Sequence, residues 1–252
     1  MYIELNTNEL YGRNLTAGAL DVMGQYYSVA SSSHAFYNYG GLVYTGNDEK
    51  ALFDNMWQKC YAVIACCNTI IEKCDENKAG LSPVWKGSIK GEALALRAML
   101  HFDMLRLFAP APVNDDGQAY VPYVETYPDI HPESIKVTPF LDKVVRDLVK
   151  AKSLVADFDT TAAGVLASSS GKMRMSKANI LAGPSFNYGD FFAGRGYRLT
   201  YYSITALLAR VYQYAGKNED AFRCASEVVE YGKKSGTLFY QDDFAGVTVN
   251  NG

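Results

Sequence analysis

Three tyrosines stand close together near the start of the chain, in a stretch with no helical period and several turn-forming residues. Tyr37, Tyr39 and Tyr44 alternate with small and polar residues, and Asn47 follows them. Sugars present apolar C–H faces rimmed by hydroxyls, so a carbohydrate site combines flat aromatic rings with amide or carboxylate groups. The stretch therefore predicts a glycan contact made by the three tyrosines, with Asn47 as a polar partner. The alternative is that the rings only anchor the loop onto the following helices.

Residues that would carry catalysis do not form a recognisable motif. His34, His101 and His131 belong to no metal-binding or nucleophile motif, and the sequence has neither a GxSxG elbow nor a phosphate loop. The adjacent Asp115 and Asp116 are more typical of a turn than of a glycosidase, which needs two carboxyl groups across a cleft. We therefore expect no enzyme, no cofactor and no bound metal, and a glycoside hydrolase is the disfavoured alternative.

The composition is that of a folded chain without a strongly charged surface. Of 252 residues, 24 are basic and 27 are acidic, which gives a formal charge of -3. This balance, without basic runs, argues against nucleic-acid binding. The five cysteines lack metal-site spacing and are expected to be buried free thiols. No stretch reaches the roughly 20 apolar residues that a membrane-spanning helix needs.

The apolar periodicity predicts an all-α protein of helix hairpins joined by long irregular loops. Residues 1–48 are expected to be irregular and aromatic, with a short helix near 16–30. Residues 49–108 form the first hairpin, and the proline-rich connection at 109–136 is expected to be extended, without a regular element. The long helices are predicted over residues 49–77, 83–108, 138–157, 200–215 and 218–233.

The last helix pair, over 200–234, carries the small–aromatic–small pattern of a tetratricopeptide repeat. Ala209, Tyr212 and Ala221 occupy these positions. Paired helices in such repeats cross closely at the two alanines, where a larger side chain would push them apart. The whole chain, 1–252, is expected to be one domain.

Four blocks of the sequence resemble, in the right order, the SusD/RagB family of outer-membrane lipoproteins. The run MWQKCYAVIACCNTII is similar to a family segment through Trp57, Tyr61 and Asn68. The run IKGEALALRAMLHFDMLRLFAPAP is similar to the family hallmark, with Ala109 where the family usually has glycine. The other two blocks are DLVKAKSL and YRLTYYSITALLARVYQYAGKNEDA. The hallmark matches are Gly91, Glu92, Ala93, Leu96, Arg97, Ala98, Phe102, Leu105, Arg106, Phe108 and Pro112.

The resemblance implies a fold and a role. The fold is mostly helical, with tetratricopeptide-like pairs supporting an irregular half, and this chain resembles the N-terminal part. Family members bind oligosaccharides outside the cell and cap a TonB-dependent, SusC-like outer-membrane transporter during nutrient import. They are anchored at the extracellular face of the outer membrane through a lipidated N-terminal cysteine. This sequence has no cysteine near its start, so we expect the signal and anchor to be absent from it.

A second function is compatible with the same residues. A tetratricopeptide scaffold that binds a peptide or protein partner, without sugar, would also use Ala209, Tyr212 and Ala221. The tyrosine-rich loop favours glycan binding. If those tyrosines are structural, the aromatic loop from Phe186 to Tyr197 is the next candidate for a sugar contact. The identity of the glycan is not encoded in any motif, because one scaffold carries different sites in its loops.

Overall fold

The computed structural model describes residues 1–168, 190–193 and 195–235 and is mostly helical, which confirms the predicted fold class. The ends of the long helices lie within two residues of the predicted positions. Short 3₁₀ turns occur at Pro112–Asn114 and Arg195–Tyr197. The helices are α1 (Tyr2–Leu5), α2 (Ala19–Met23), α3 (Tyr37–Gly40), α4 (Asn47–Glu76), α5 (Pro83–Phe108), α6 (Val137–Asp159), α7 (Ala162–Ser168), α8 (Asp190–Ala193), α9 (Tyr201–Tyr214) and α10 (Asn218–Ser235).

The chain divides into two compact units. Unit 1 contains Met1–Lys78 and Leu96–Asp147, and unit 2 contains Ala79–Ala95 and the chain from Leu148 onward. Helices α5 and α6 each contribute residues to both units.

In unit 1, α4 buries one apolar seam against the core. Cys60, Ile64, Cys67 and Cys74 lie on this seam, and the cysteines are free thiols. Burial raises the pKa of Cys60 and of Cys67 to about 12. These thiols therefore stay protonated and pack as small hydrophobic side chains. The helix ends at Asn77, whose left-handed backbone (φ 46°) terminates it.

Helix α4 and the second half of α5 run antiparallel, as the predicted hairpin requires. The rings of Trp57 and Phe108 have centroids 5.0 Å apart. Further along α4, Asn68 Oδ1 accepts a hydrogen bond from Arg97 Nη1 at 2.8 Å. The residue that comes earlier in α4 contacts the end of α5, and the residue that comes later in α4 contacts an earlier part of α5. The two helices therefore run in opposite directions.

The proline-rich connection contains a two-stranded antiparallel sheet, so the prediction that it has no regular element was wrong. Strand β1 (Ala119–Pro122) pairs with β2 (Ser134–Lys136). Ala119 lies opposite Lys136, and Pro122 lies opposite Ser134. Short strands that pair across a long connection leave no periodic signal in either strand, which is why a search for periodicity misses them.

A buried polar network fixes the chain that follows β1. The Arg97 guanidinium pairs with the Asp147 carboxylate, with Nε 2.8 Å and Nη2 2.6 Å from Oδ2. Tyr123 also donates its hydroxyl to Asp147, at 2.7 Å. Arg97 Nη1 donates to the Glu125 carbonyl at 3.2 Å. The buried arginine and aspartate thus neutralise each other, and their remaining hydrogen bonds hold the main chain in place.

In unit 2, two glycines one helical turn apart allow α5 to approach α6 closely. A Cβ atom at Gly87 would lie 2.6 Å from the carbonyl oxygen of Leu154. A Cβ atom at Gly91 would lie 2.6 Å from Cγ1 of Val155. Any larger residue must push the helices apart, as at other small-residue helix crossings. Gly91, the first residue of the GEA hallmark, therefore has a packing role.

The fully buried Arg195 joins three parts of unit 2. Its Nε and Nη2 donate to the two oxygens of Asp159, at 2.9 and 2.6 Å. Its Nη1 forms a close ion pair with Glu92. Asp159 also accepts a hydrogen bond from the Tyr201 amide at 2.9 Å, at the start of α9. One guanidinium thus connects α5, the end of α6 and the segment that leads into α9.

Helices α9 and α10 pack together as the predicted pair. Thr200 and Ser203 form a capping box at the start of α9. Gly216, with a φ of 73°, makes the turn between the helices. Ala209 and Ala221 are half-buried and line an open groove on the pair.

Candidate functional site

The predicted tyrosine site lies in unit 1, where the single-turn helix α3 replaces the expected loop. Residues two apart in an α-helix point roughly 200° apart around its axis. Tyr37 and Tyr39 therefore face opposite sides. Tyr37 is 43% exposed, whereas Tyr39 is 2% exposed. The structure thus separates two tyrosines that the sequence analysis placed on one surface.

Tyr39 belongs to the core of unit 1, which corrects its predicted role. Its ring packs edge-on against Phe53 with centroids 6.1 Å apart, and its hydroxyl donates to the Asp48 carbonyl at 3.4 Å. Burial raises the pKa of Tyr39 to about 12, and the carboxylates of Glu49 and Asp48 add to that rise. A neutral ring enclosed in this way anchors α3 and is not accessible for stacking on a sugar.

Tyr44 and Asn47 lie at the entrance to α4. Tyr44 is half-buried, with its ring perpendicular to Phe53 at a centroid distance of 5.5 Å. Asn47 is exposed and is the first residue of α4. Both side chains reach solvent, and their contact with a glycan stays a prediction.

Tyr37 lines a groove of about 420 Å³ together with residues of the preceding segment. Tyr27 is the second aromatic side chain there and is 54% exposed. Gln25 and Asn38 contribute amides, and Ser28 contributes a hydroxyl. The groove therefore combines two accessible rings with neutral hydrogen-bonding groups, which is the combination that a sugar ring requires.

Two side-chain amides hold the shape of this groove. Gln25 adopts the left-handed region (φ 61°), and its Nε2 donates to the Gly40 carbonyl at 3.0 Å. Asn38 Nδ2 donates to Glu49 Oε1 at 2.8 Å. Such a backbone conformation costs about 1–3 kcal/mol in a non-glycine residue, so the surrounding bonds must hold it. The two amides thus tie the segment after α2 to α3, and α3 to α4.

The charge of the groove restricts the class of ligand. The described residues that line it are all neutral. Phosphate and carboxylate groups are usually bound by arginine or lysine, which this lining does not supply. A neutral, hydroxyl-rich ligand therefore suits the groove better than an anionic one.

The described ranges contain neither a cluster of metal ligands nor a membrane-spanning helix. Within 1–168, 190–193 and 195–235, no three His, Cys, Asp or Glu side chains are grouped so that they could hold a metal ion. No helix of these same ranges has the length and apolarity to span a membrane.

The sequence analysis missed Gln25 and Tyr27. Tyr27 fell inside the short helix expected near 16–30, but α2 ends at Met23 and the chain then turns. The pair Gly24 and Gln25 carried a weak turn signal. Five of the twelve residues of the alternative loop, Phe186 to Tyr197, lie outside the described residues.

Comparisons with known proteins agree on a family. A family model described as "Starch-binding associating with outer membrane", SusD-like, matches residues 8–170. No curated protein sequence matches the chain.

Several solved structures share the fold. A SusD superfamily protein from Bacteroides thetaiotaomicron has a TM-score of 0.61 at 21% identity, over 90% of this chain and 43% of its own. A SusD-like carbohydrate binding protein from Bacteroides vulgatus has a TM-score of 0.62 at 17% identity, over 91% and 41%. A SusD superfamily protein from the same species has a TM-score of 0.62 at 18% identity, over 93% and 45%. The chain spans less than half the length of each.

Proposed function

The chain belongs to the SusD-like family, and from that premise we propose that it binds a neutral oligosaccharide at the outer face of the outer membrane. The observation that carries the proposal is the uncharged groove with two accessible rings, Tyr27 and Tyr37. This groove lies inside the stretch that the family model matches. Family membership supports a carbohydrate-binding role in general, and the composition of the groove supports the proposal that the contact is made there.

The expected affinity follows from the geometry. Each ring stacked on a sugar contributes about 0.5–1.5 kcal/mol beyond burial, by analogy with aromatic pairs. The groove offers two such rings, and the ligand loses conformational freedom when it is ordered. We therefore expect dissociation constants of about 0.1–10 mM. Binding of this strength suits capture and release better than permanent storage.

The proposal includes delivery to a partner. We propose that the protein, anchored as a lipoprotein, caps a TonB-dependent, SusC-like transporter, to which a weakly held sugar can pass. The description of the family model as associating with the outer membrane supports the location. We propose no catalytic step. Co-purification with a SusC-like transporter from the same organism tests the partnership, and a failure to co-purify under mild detergent would contradict it.

The glycan proposal is tested by calorimetric titration with neutral hexasaccharides of the gluco-, manno- and xylo- series. Tyr27→Ala and Tyr37→Ala should each weaken binding by about tenfold at most, since each removes one stacking ring. Tyr26→Ala is the matched control, because Tyr26 is 80% exposed and does not line the groove. If all three variants bind the glycan with the affinity of the unaltered protein, the groove is not the glycan site.

Tyr44→Ala and Asn47→Ala extend the same titration to the residues predicted from sequence. A loss of affinity in either variant, with unchanged thermal stability, would add the entrance of α4 to the site. Unchanged affinity in both would confine the contact to the groove.

The second candidate function is peptide binding by the α9–α10 pair. It is favoured by the open groove of about 470 Å³ between these helices, which is lined by alanines and by Phe222, 74% exposed. A scaffold of this kind would bind a helix or an extended peptide against the apolar strip. Its test is Phe222→Ala, which should abolish capture of a peptide or protein partner in a pull-down, whereas a glycan detected by calorimetry would favour the first function.

A further inference from the structure

A second aromatic cavity of about 470 Å³ lies in unit 1, between α4 and the chain around the two-stranded sheet. One wall is the face of α4 that carries Trp57 and Tyr61. The other wall carries Tyr120, from β1, and Tyr127, from the connection between the strands. The cavity shares no lining residue with the groove described above. We propose that it is a second saccharide-binding site, which takes neutral sugar rings.

The wall opposite α4 is held by hydrogen bonds that side chains of α4 donate to its main-chain carbonyls. Tyr61 donates its hydroxyl to the Pro122 carbonyl at 2.8 Å. Asn68 Nδ2 donates to the carbonyls of Val124 and Thr126, at 3.2 and 3.1 Å. Asn68 is itself held by Arg97. The cavity is therefore formed before a ligand arrives, and binding does not have to order its backbone.

Aromatic side chains line both walls of the cavity and could stack on a sugar ring. The rings of Trp57 and Tyr61 lie 4.9 Å apart, and both side chains are partly accessible. Tyr127 is 59% exposed at the rim. Tyr120, 38% exposed, is fixed by the hydrogen bond that its hydroxyl donates to Asp116 at 2.5 Å. A ligand that enters the cavity thus meets aromatic side chains on both sides.

The polar groups of the lining select the ligand. Asp129 is its only charged side chain among the described residues, and Thr126 and Ser134 contribute hydroxyls. Carboxylate and hydroxyl groups bind sugar hydroxyls, whereas Asp129 repels a uronic acid or a sulfated sugar. Aromatic faces with these groups at the rim match the alternating C–H faces and hydroxyl edges of neutral hexoses.

A second site changes what the protein can hold. Two weak sites engaged by one long glycan bind it more tightly than either site alone, because the second contact becomes intramolecular. This inference rests on the proposed function, since it assigns the same class of ligand to another surface. It adds a dependence on glycan length that the groove alone would not produce.

The two tryptophans of the chain allow a selective test. Trp57 lies in the cavity, whereas Trp85 packs on Phe191 in unit 2. In a Trp85→Phe background, the fluorescence of Trp57 reports the cavity. Maltohexaose, cellohexaose, xylohexaose and mannohexaose are the probes. At least one should change Trp57 emission saturably and should reduce its quenching by acrylamide.

Three variants in that background locate the response. Tyr127→Ala should weaken the Trp57 titration by about tenfold, the loss of one stacking contact. Tyr37→Ala should weaken it less than Tyr127→Ala does, because Tyr37 does not line the cavity. Asp129→Asn should keep neutral binding and should admit trigalacturonate, which the unaltered protein excludes.

The outcomes separate this inference from the proposed function. One outcome is that calorimetry detects a glycan whose affinity falls in Tyr37→Ala while Trp57 emission does not change. That result would refute the second site and would leave the proposed glycan binding intact. A response of Trp57 to a proline-rich peptide but to none of the sugars would make the cavity a peptide site. If no sugar is detected by either method, both the second site and the proposed function fail.

Discussion

His101 should make the stability of unit 1 dependent on pH. The residue is fully buried on α5, and its ring stacks on Tyr123 at a centroid distance of 3.9 Å. Its Nε2 lies 3.0 Å from the Val124 amide, which donates to it. Its Nδ1 lies 2.9 Å from the Arg97 carbonyl. The proton must therefore sit on Nδ1 and donate to that carbonyl, which makes the neutral ring an acceptor on one side and a donor on the other.

The magnitude follows from linkage. Burial lowers the pKa of His101 from 6.5 to about 3, and the positive charges of Arg97 and Lys143 act in the same direction. Below pH 6.5 the unfolded chain binds a proton that the folded chain does not. Stability is therefore greatest above pH 6.5 and falls as the pH is lowered towards the folded pKa. The loss is about 1.4 kcal/mol per pH unit, or about 2 kcal/mol between pH 6.5 and pH 5.

The assay is urea unfolding at a series of pH values, followed by Trp57 emission in the Trp85→Phe background. His101→Gln keeps an acceptor for the Val124 amide but does not titrate, so the slope between pH 6.5 and pH 5 should disappear. His34→Gln, on the surface, is the matched control and should keep the slope. A flat profile in the unaltered protein, or an equal slope in His101→Gln, would refute the reasoning.

Three further perturbations test unit 2 and the thiols. Gly91→Ala places a Cβ 2.6 Å from a methyl group of α6 and should lower unfolding free energy by about 1–3 kcal/mol; an unchanged melting temperature would contradict the close crossing. Arg195→Met removes the cation that pairs with the buried carboxylates of Glu92 and Asp159 and should cost about 3–5 kcal/mol by denaturant unfolding; a loss no larger than that of a surface substitution would contradict this. Cys66, the exposed thiol, should react with Ellman's reagent in the native protein; fast release of further thiols would show that the other cysteines are accessible.

The long helices were predictable because their signals are local. The seam of α4 repeats within the helix itself, Pro83 is the first residue of α5, and Pro110 and Pro112 follow its end. The sites were less predictable because they depend on contacts between distant residues. Tyr27 and Tyr37 share one groove, and the hydrogen bond from Gln25 to Gly40 joins the two segments that carry them. No periodicity within either segment reports that bond.

The spacing of Tyr37 and Tyr39 shows how the prediction of a loop in place of a short helix changes the predicted site. In an irregular loop, both rings can reach one surface. In the helical turn of α3, residues two apart must diverge, so one tyrosine enters the core and the other faces solvent. The composition of the stretch therefore indicated the kind of ligand, while its backbone conformation determines which ring a ligand can reach.

The residues that identify the family are residues of the scaffold. Gly91 allows a close helix crossing, Glu92 binds the buried Arg195, and Arg97 holds the chain after β1 through Asn68 and Asp147. Each is buried and makes contacts that a different side chain would break, so each is constrained by packing whatever the ligand. The proposed sugar contacts have the opposite character, because Tyr27, Tyr37 and Tyr127 are exposed at groove edges. Exposed rings can change without loss of the fold. Buried glycines and ion pairs therefore maintain the fold independently of the exposed rings. Different aromatic surfaces, and so different glycan preferences, can be carried on this one fold.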